Sequence, residues 1–305
     1  MTKNLIWLAS YPKSGNTWTR AFIGSVLGFG TINESGSFSN FTSSCASAAV
    51  RRQIYGEETP PPTDLTMAWR DPYQAKLSER IGKARHFSKT HSRYGSVSGN
   101  RLINPDVSLW AVVIVRNPFD VAASMANYLT TTLENGIKVI ANPVLTLNNL
   151  NRIQHTISAG SWDINIISWL TQRDIPVLLM RYEDMYFTPA ETFGNLARTI
   201  LGIENPERIA RAVAEADFAK LKEKENTVGF QENISKVNSF FWKGYPYHAL
   251  DILDQQQTEE IWQRHRLVAE ALGYRFDGTA ISLEAPRPES LFPLAERLRD
   301  FIHAP

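Results

Sequence analysis

The chain has 305 residues and a single cysteine, Cys45, and that scarcity excludes two kinds of protein. One cysteine closes no internal disulfide and supplies no thiolate metal cluster. Long apolar runs are also missing. No stretch approaches the roughly 20 consecutive apolar residues that span a bilayer. The N-terminal run Leu5–Ala9 is too short for a secretory leader and gives way at once to Tyr11-Pro12-Lys13, so the cytoplasm is the expected setting. Charge of one sign is absent as well. Lys and Arg number 32 against 31 Asp and Glu, a formal net charge of +1. Such a balance offers no broad field for nucleic acid or an anionic membrane, so any anion site must be local. There is no internal repeat, no low-complexity tract and no G-x-x-x-x-G-K triphosphate loop.

What is present is an alternation of buried strands and helices. Leu5–Ser10, Leu109–Val115 and Val177–Arg181 are apolar runs of strand length, and His86–His91 is a weaker fourth. Continuous apolar strands suit a parallel sheet covered on both faces. Helical spacing is expected over Thr17–Leu27, Pro118–Leu129, Trp162–Arg173, Pro189–Leu201, Glu207–Ala216 and Thr258–Leu272. The order implies an α/β fold: a central parallel sheet flanked by helices, in one domain over 1–305. Thr31–Ser47 and the prolines of Thr59–Asp64 read as loop, and Thr130–Ser161 and Lys222–Leu250 as irregular insertions. Within a C-terminal extension, 280–305, the segment Pro288–His303 spaces Leu291, Leu294, Leu298 and Phe301 as one amphipathic helix. Docking on the domain's own surface is its simplest use.

In parallel sheets ligands bind beyond the C-terminal ends of the strands. The first run ends in Tyr11-Pro-Lys-Ser-Gly-Asn-Thr-Trp18, a polar loop that opens a helix. Such a junction aims backbone N–H groups and a helix dipole at one point, which is a natural phosphate site. Lys13 adds a charge, and Ser14 and Thr17 add hydroxyls. The plain alternative is a strand-to-helix turn with a solvated lysine. The second junction carries Lys89-Thr90-His91, and strand alternation places Lys89 and His91 on one side. His91 is either a general base or a satisfied structural histidine. The third, Val115-Arg116-Asn117-Pro118-Phe119-Asp120, offers Asn117 as N-cap and Pro118 at the first helical position, with Ser124 about two turns on. Arg116 either binds phosphate bidentately or pairs with a structural carboxylate. Two phosphate-type sites beside a Lys/His pair fit a nucleotide with phosphates at both ends, which spacing alone does not identify.

These segments resemble the cytosolic-type sulfotransferases. Tyr11–Trp18 is similar to their Y-P-K-S-G-T-T-W loop, Lys89-Thr-His91 to their K-T-H, and Arg116…Ser124 to their 3′-phosphate motif. Tyr182-Glu-Asp-Met185 is similar to their Y-E-D-M, and Phe241-Trp-Lys-Gly244 to their late R-K-G, all in order over about 5–275. The resemblance implies a P-loop nucleotide-kinase-like fold, with loops and helices inserted over the acceptor site. It also implies 3′-phosphoadenosine 5′-phosphosulfate (PAPS, leaving as PAP), no metal and a small-molecule hydroxyl acceptor. By the same resemblance Lys13 stabilises the leaving phosphate, and Ser14, Gly15, Asn16 and Thr17 hold the 5′-phosphate. Trp18, Phe218 and Tyr182 take the adenosine. Arg116, Ser124, Lys243 and Gly244 take the 3′-phosphate. Lys89 stabilises the sulfonate and His91 accepts the acceptor's proton. Two departures stand out: Asn16 replaces a threonine, and Trp242 an arginine. The R-K-G-x-x-G-D-W continuation and a C-terminal dimer motif are absent, which leaves oligomeric state open. A nucleotide-dependent kinase and a non-catalytic nucleotide-binding protein are the competing readings.

Overall fold

The computed structural model describes residues 2–38, 41–44, 52, 65–147, 156–235 and 237–304. Successive side chains of Leu5–Ser10 leave the strand on opposite sides, and both sides are buried. Leu5, Trp7 and Ala9 enter one core with Val113 and Val115, while Ile6 and Leu8 enter a second with Val112 and Ile114. This two-sided burial is why the run is apolar at every position up to Ser10.

The central sheet contains β1 (Leu5–Ser10), β2 (Thr42–Ser44), β3 (His86–Thr90), β4 (Ser108–Val115) and β5 (Val177–Arg181). Their spatial order is β2-β3-β1-β4-β5, and every neighbouring pair is parallel. The register sets Ala9 beside Thr90 and Ser10 beside Ile114. The chain therefore leaves β1, β3 and β4 side by side at one end of the sheet. Helices cover the faces: α1 (Asn16–Val26), α2 (Arg70–Ile81), α3 (Pro118–Leu129), α4 (Leu133–Ala141), α5 (Trp162–Thr171), α6 (Tyr182–Phe187), α7 (Pro189–Leu196), α8 (Pro206–Glu215), α9 (Phe218–Val228) and α10 (Gln255–Ala271). Asn117 caps α3 as the sequence implies, accepting from the Asp120 N–H at 2.8 Å with Pro118 at the first turn. Among the described residues no helix is long and apolar enough to cross a membrane.

Several expectations need correction. Thr42–Ser44, within a segment read as loop, is an edge strand held by pairing with β3 rather than by its own polar composition. His91 falls one residue past β3. The helix expected over Pro189–Leu201 widens into a π-helical turn at Ala197–Leu201. Helices α2 and α9 lie where the sequence shows no clear helical pattern, while α4 is a short helix within the Thr130–Ser161 insertion, as expected there. The tail is not one helix. A 3-10 turn at Pro288–Leu291 leads to short helices Phe292–Arg297 and Arg299–Ile302, broken at Leu298, and His303–Ala304 then pairs in parallel with Ser96–Val97. It does dock on its own domain: Leu291 is fully buried, and Arg93 Nε donates to the Ile302 carbonyl at 3.1 Å. Cys45, the Thr59–Asp64 prolines and 148–155 lie outside the described residues.

Candidate active site

The loop after β1 turns sharply because Lys13 and Gly15 both take left-handed backbone angles, φ 68 and 107. Gly15 is required twice over. A Cβ there would also meet Tyr182 Cδ2 at 2.8 Å. No side chain caps the start of α1, so its first N–H groups are open to a ligand. The Ser14 hydroxyl is buried without a hydrogen-bond partner, as are Trp18 Nε1 and Arg116 Nε. Buried polar atoms are normally paired, so an unpartnered one that also lines a cavity, as at Trp18 and Arg116, suits a polar ligand.

One cavity collects the sequence-derived site residues. Lys13, Gly15, Asn16, Thr17, Trp18, Lys89, His91, Arg116, Ser124, Tyr182, Phe218, Lys243 and Gly244 all line it, and Ser14 alone does not. Asn16 is placed differently from expectation. Its amide donates to the Leu8 carbonyl at 2.8 Å and to Ser10 Oγ at 3.2 Å, so the side chain braces the loop against β1. Its side-chain donors are thereby turned from the ligand side, and its backbone N–H is what the loop can offer.

At one end of the cavity, His91 Nδ1 lies 2.9 Å from the Ser10 carbonyl. A carbonyl only accepts, so Nδ1 carries the hydrogen and Nε2 keeps the lone pair. Burial, reinforced by the nearby Lys89 charge, pushes the imidazole down to about 3, so it is neutral at physiological pH. Lys13 Nζ sits 3.6 Å from the centroid of the Phe240 ring and 5.0 Å from that of Tyr128. Burial, with Arg116 adding to it, lowers its amine to about 7. At the other end, Arg116 Nη2 meets Asp120 Oδ2 at 3.0 Å, and its guanidinium lies 4.0 Å from the Tyr182 ring centroid. Arg116 thus has the structural carboxylate left open by the sequence and lines the cavity as well. Tyr182 OH donates to the Gly244 carbonyl at 2.8 Å, and a Cβ on Gly244 would strike the Phe218 ring at 2.5 Å. Tyr182, Gly244 and Phe218 are therefore packed against one another.

A family model for the sulfotransferase domain matches residues 3–263. The chain belongs to the sulfotransferase domain family. Solved structures share its fold. A mouse sulfotransferase, SULT7A1, complexed with PAP is 20% identical over 87% of this chain and 86% of its own, with a TM-score of 0.56. Retinol dehydratase with androsterone and the inactive cofactor PAP is 15% identical over 91% of this chain and 84% of its own, at a TM-score of 0.61. Retinol dehydratase with retinol and PAP is 14% identical over 90% and 84%, also at 0.61. No curated protein sequence matches the chain significantly.

This sulfotransferase site contains residues that sequence reasoning missed. Glu232 enters the cavity from the segment after α9 and bridges two cations, Arg20 and Lys89. Burial alone would raise its carboxyl, but those charges overcome it and hold it well below the usual carboxylate range. Asp120 is fully buried and ties Arg116 to the backbone N–H groups of Tyr247 and Ala249 at 2.8 and 3.0 Å. His248 joins the same corner. Nothing in the local pattern around Glu232 or His248 marks them, since each meets its partner only through the fold.

Proposed function

We propose that this sulfotransferase moves the sulfuryl group of PAPS to a hydroxyl of a small-molecule acceptor, with His91 as general base. The observation that carries the reading is the shared cavity. Lys13 and a His91 with Nε2 left for the acceptor face it with Lys89, and Arg116 and Ser124 line it too. The unpartnered Arg116 Nε and the uncapped N–H groups at the start of α1 fit a ligand with more than one anionic group. PAPS, when bound, supplies an activated sulfonate with PAP as its leaving group. Ser14, the loop N–H groups and Lys13 hold the 5′-phosphate, and Lys13 balances the charge that grows on it. Arg116, Ser124, Lys243 and Gly244 hold the 3′-phosphate, while Trp18, Tyr182 and Phe218 enclose the adenosine. His91 Nε2 takes the acceptor's hydroxyl proton, and Lys89 steadies the sulfonate oxygens. Positioning and electrostatics supply most of the rate, as in phosphoryl transfer.

Tyr128, Leu129, Leu147, Ile157, Ile234 and Phe240 line the same cavity, which supports an apolar or aromatic alcohol as acceptor. The single cysteine supports a reducing, cytoplasmic setting. The test is transfer of labelled sulfur from PAPS to a panel of phenols, aliphatic alcohols, sugars and a native metabolite extract. Label should appear in an apolar alcohol or phenol without added metal. Transfer of phosphate from ATP with magnesium, and none of sulfur, would establish the kinase instead.

A further inference from the structure

His248 is a second imidazole in the cavity wall, and no local motif marks it. It is 1% exposed, yet it lines the cavity. It opens the short 3-10 turn His248–Asp251, set by a left-handed Tyr247. Its Nδ1 lies 3.1 Å from Asp120 Oδ1, 3.1 Å from the Tyr245 carbonyl and 3.4 Å from Arg116 Nη2. Two acceptors therefore fix the hydrogen on Nδ1. Nε2 is buried and has no partner, and the Nε of Arg116, whose Nη2 touches the other side of this ring, is in the same condition. The Arg116 N–H calls for an acceptor, and the His248 Nε2 lone pair calls for a donor, or for a proton that then meets an acceptor oxygen.

The groups facing this imidazole are Asp120 from α3, Arg116 from the end of β4, and Lys243 and Tyr245 from the preceding loop. Trp242 packs edge-on against it at 5.3 Å between centroids. We propose that His248 is a further anion-binding residue, which takes a proton on Nε2 and shares the nucleotide's 3′-phosphate with Arg116. The inference rests on the PAPS reading. It explains how the corner copes with an uncharged Trp242. In the free protein burial lowers the His248 basicity, so the imidazole starts neutral. A phosphate dianion against Nε2 reverses that balance, and one proton enters from solvent as the nucleotide binds.

The experiment is calorimetric titration with PAP and with adenosine 5′-phosphate at pH 7.5, in two buffers of different ionisation heat. It is run on the full chain and on His248→Gln and His248→Phe. Adenosine 5′-phosphate lacks the 3′ group, so it reports the rest of the site and the soundness of each variant. The unaltered protein should take up more protons with PAP than with adenosine 5′-phosphate, and both variants should lose that excess. His248→Phe should weaken PAP by about ten- to a hundredfold, the range for a charge-assisted hydrogen bond, and leave adenosine 5′-phosphate unchanged. His248→Gln, which keeps a neutral donor, should weaken PAP less. An unchanged proton excess in the variants, or unchanged PAP affinity in His248→Phe, overturns the role of His248 alone. Failure of the unaltered protein to bind PAP overturns the PAPS reading and this inference with it.

Discussion

Lys89 Nζ donates to Glu232 Oε2 at 2.5 Å, and the same carboxylate accepts from Arg20 Nη1 and Nη2 at 2.7 and 2.9 Å. One acid thus anchors two cations, of which Lys89 lines the cavity. Glu232 sets where Lys89 points and keeps the two positive groups from repelling each other.

Glu232→Gln should lower kcat by about ten- to a hundredfold, the scale of a displaced catalytic group, while PAP affinity stays within a few-fold. Steady-state kinetics beside calorimetry checks this, and an unchanged kcat means the brace is idle. The same pair shapes acid stability. Because the folded carboxyl lies below its ordinary 4.5, its contribution is present above that pH and fades as pH falls. Melting temperature should therefore drop more steeply below pH 4.5 in the unaltered protein than in Glu232→Gln.

His91→Ala should keep PAP binding and lose about 10²–10⁴ in turnover, the usual share of a general base. Because burial holds the imidazole at about 3, the rate should show no histidine-like inflection near 6.5. Near-normal transfer in the variant would remove His91 as the base.

Lys13 gives the opposite pH dependence. Its amine is charged below about 7 and neutral above, so affinity for adenosine 5′-phosphate should be full at low pH and fall as pH rises through that value. Lys13→Arg, which stays charged, should flatten the curve. A flat curve in the unaltered protein would show that Lys13 does not meet the 5′-phosphate.

Arg116→Ala should weaken PAP by about ten- to a hundredfold and adenosine 5′-phosphate much less. Since Asp120 would be left buried without its guanidinium, Arg116→Lys is the milder companion, with the same direction expected. Equal weakening of both nucleotides would reject the 3′-phosphate role.

Much of this site is legible in the sequence because three of its parts are contiguous. A strand, a turn and a helix start follow one another at Lys13, and again at Arg116, while His91 follows directly on β3. Each junction therefore carries its own signature. The sheet is legible for a related reason: β1 and β4 are buried on both faces and so are apolar apart from Ser10 and Ser108 at their ends. Glu232 and His248 are not legible. Glu232 stands 143 residues from Lys89, and His248 stands 132 from Arg116, in a segment without periodicity. Thr42–Ser44 is a strand by pairing alone. Asn16 shows a subtler limit, because its donor capacity is evident from its type but the direction of its amide is decided by Leu8 and Ser10.

The central claim is that this cavity is built for a bis-phosphorylated adenosine rather than for a triphosphate. Calorimetric titration of the full chain with PAP, without metal, and with ATP in the presence of magnesium tests it most directly. The account predicts one tight PAP site and at least tenfold weaker ATP, since only PAP reaches both the Lys13 loop and the Arg116 corner. Tight magnesium-dependent ATP binding with no measurable PAP binding would contradict it.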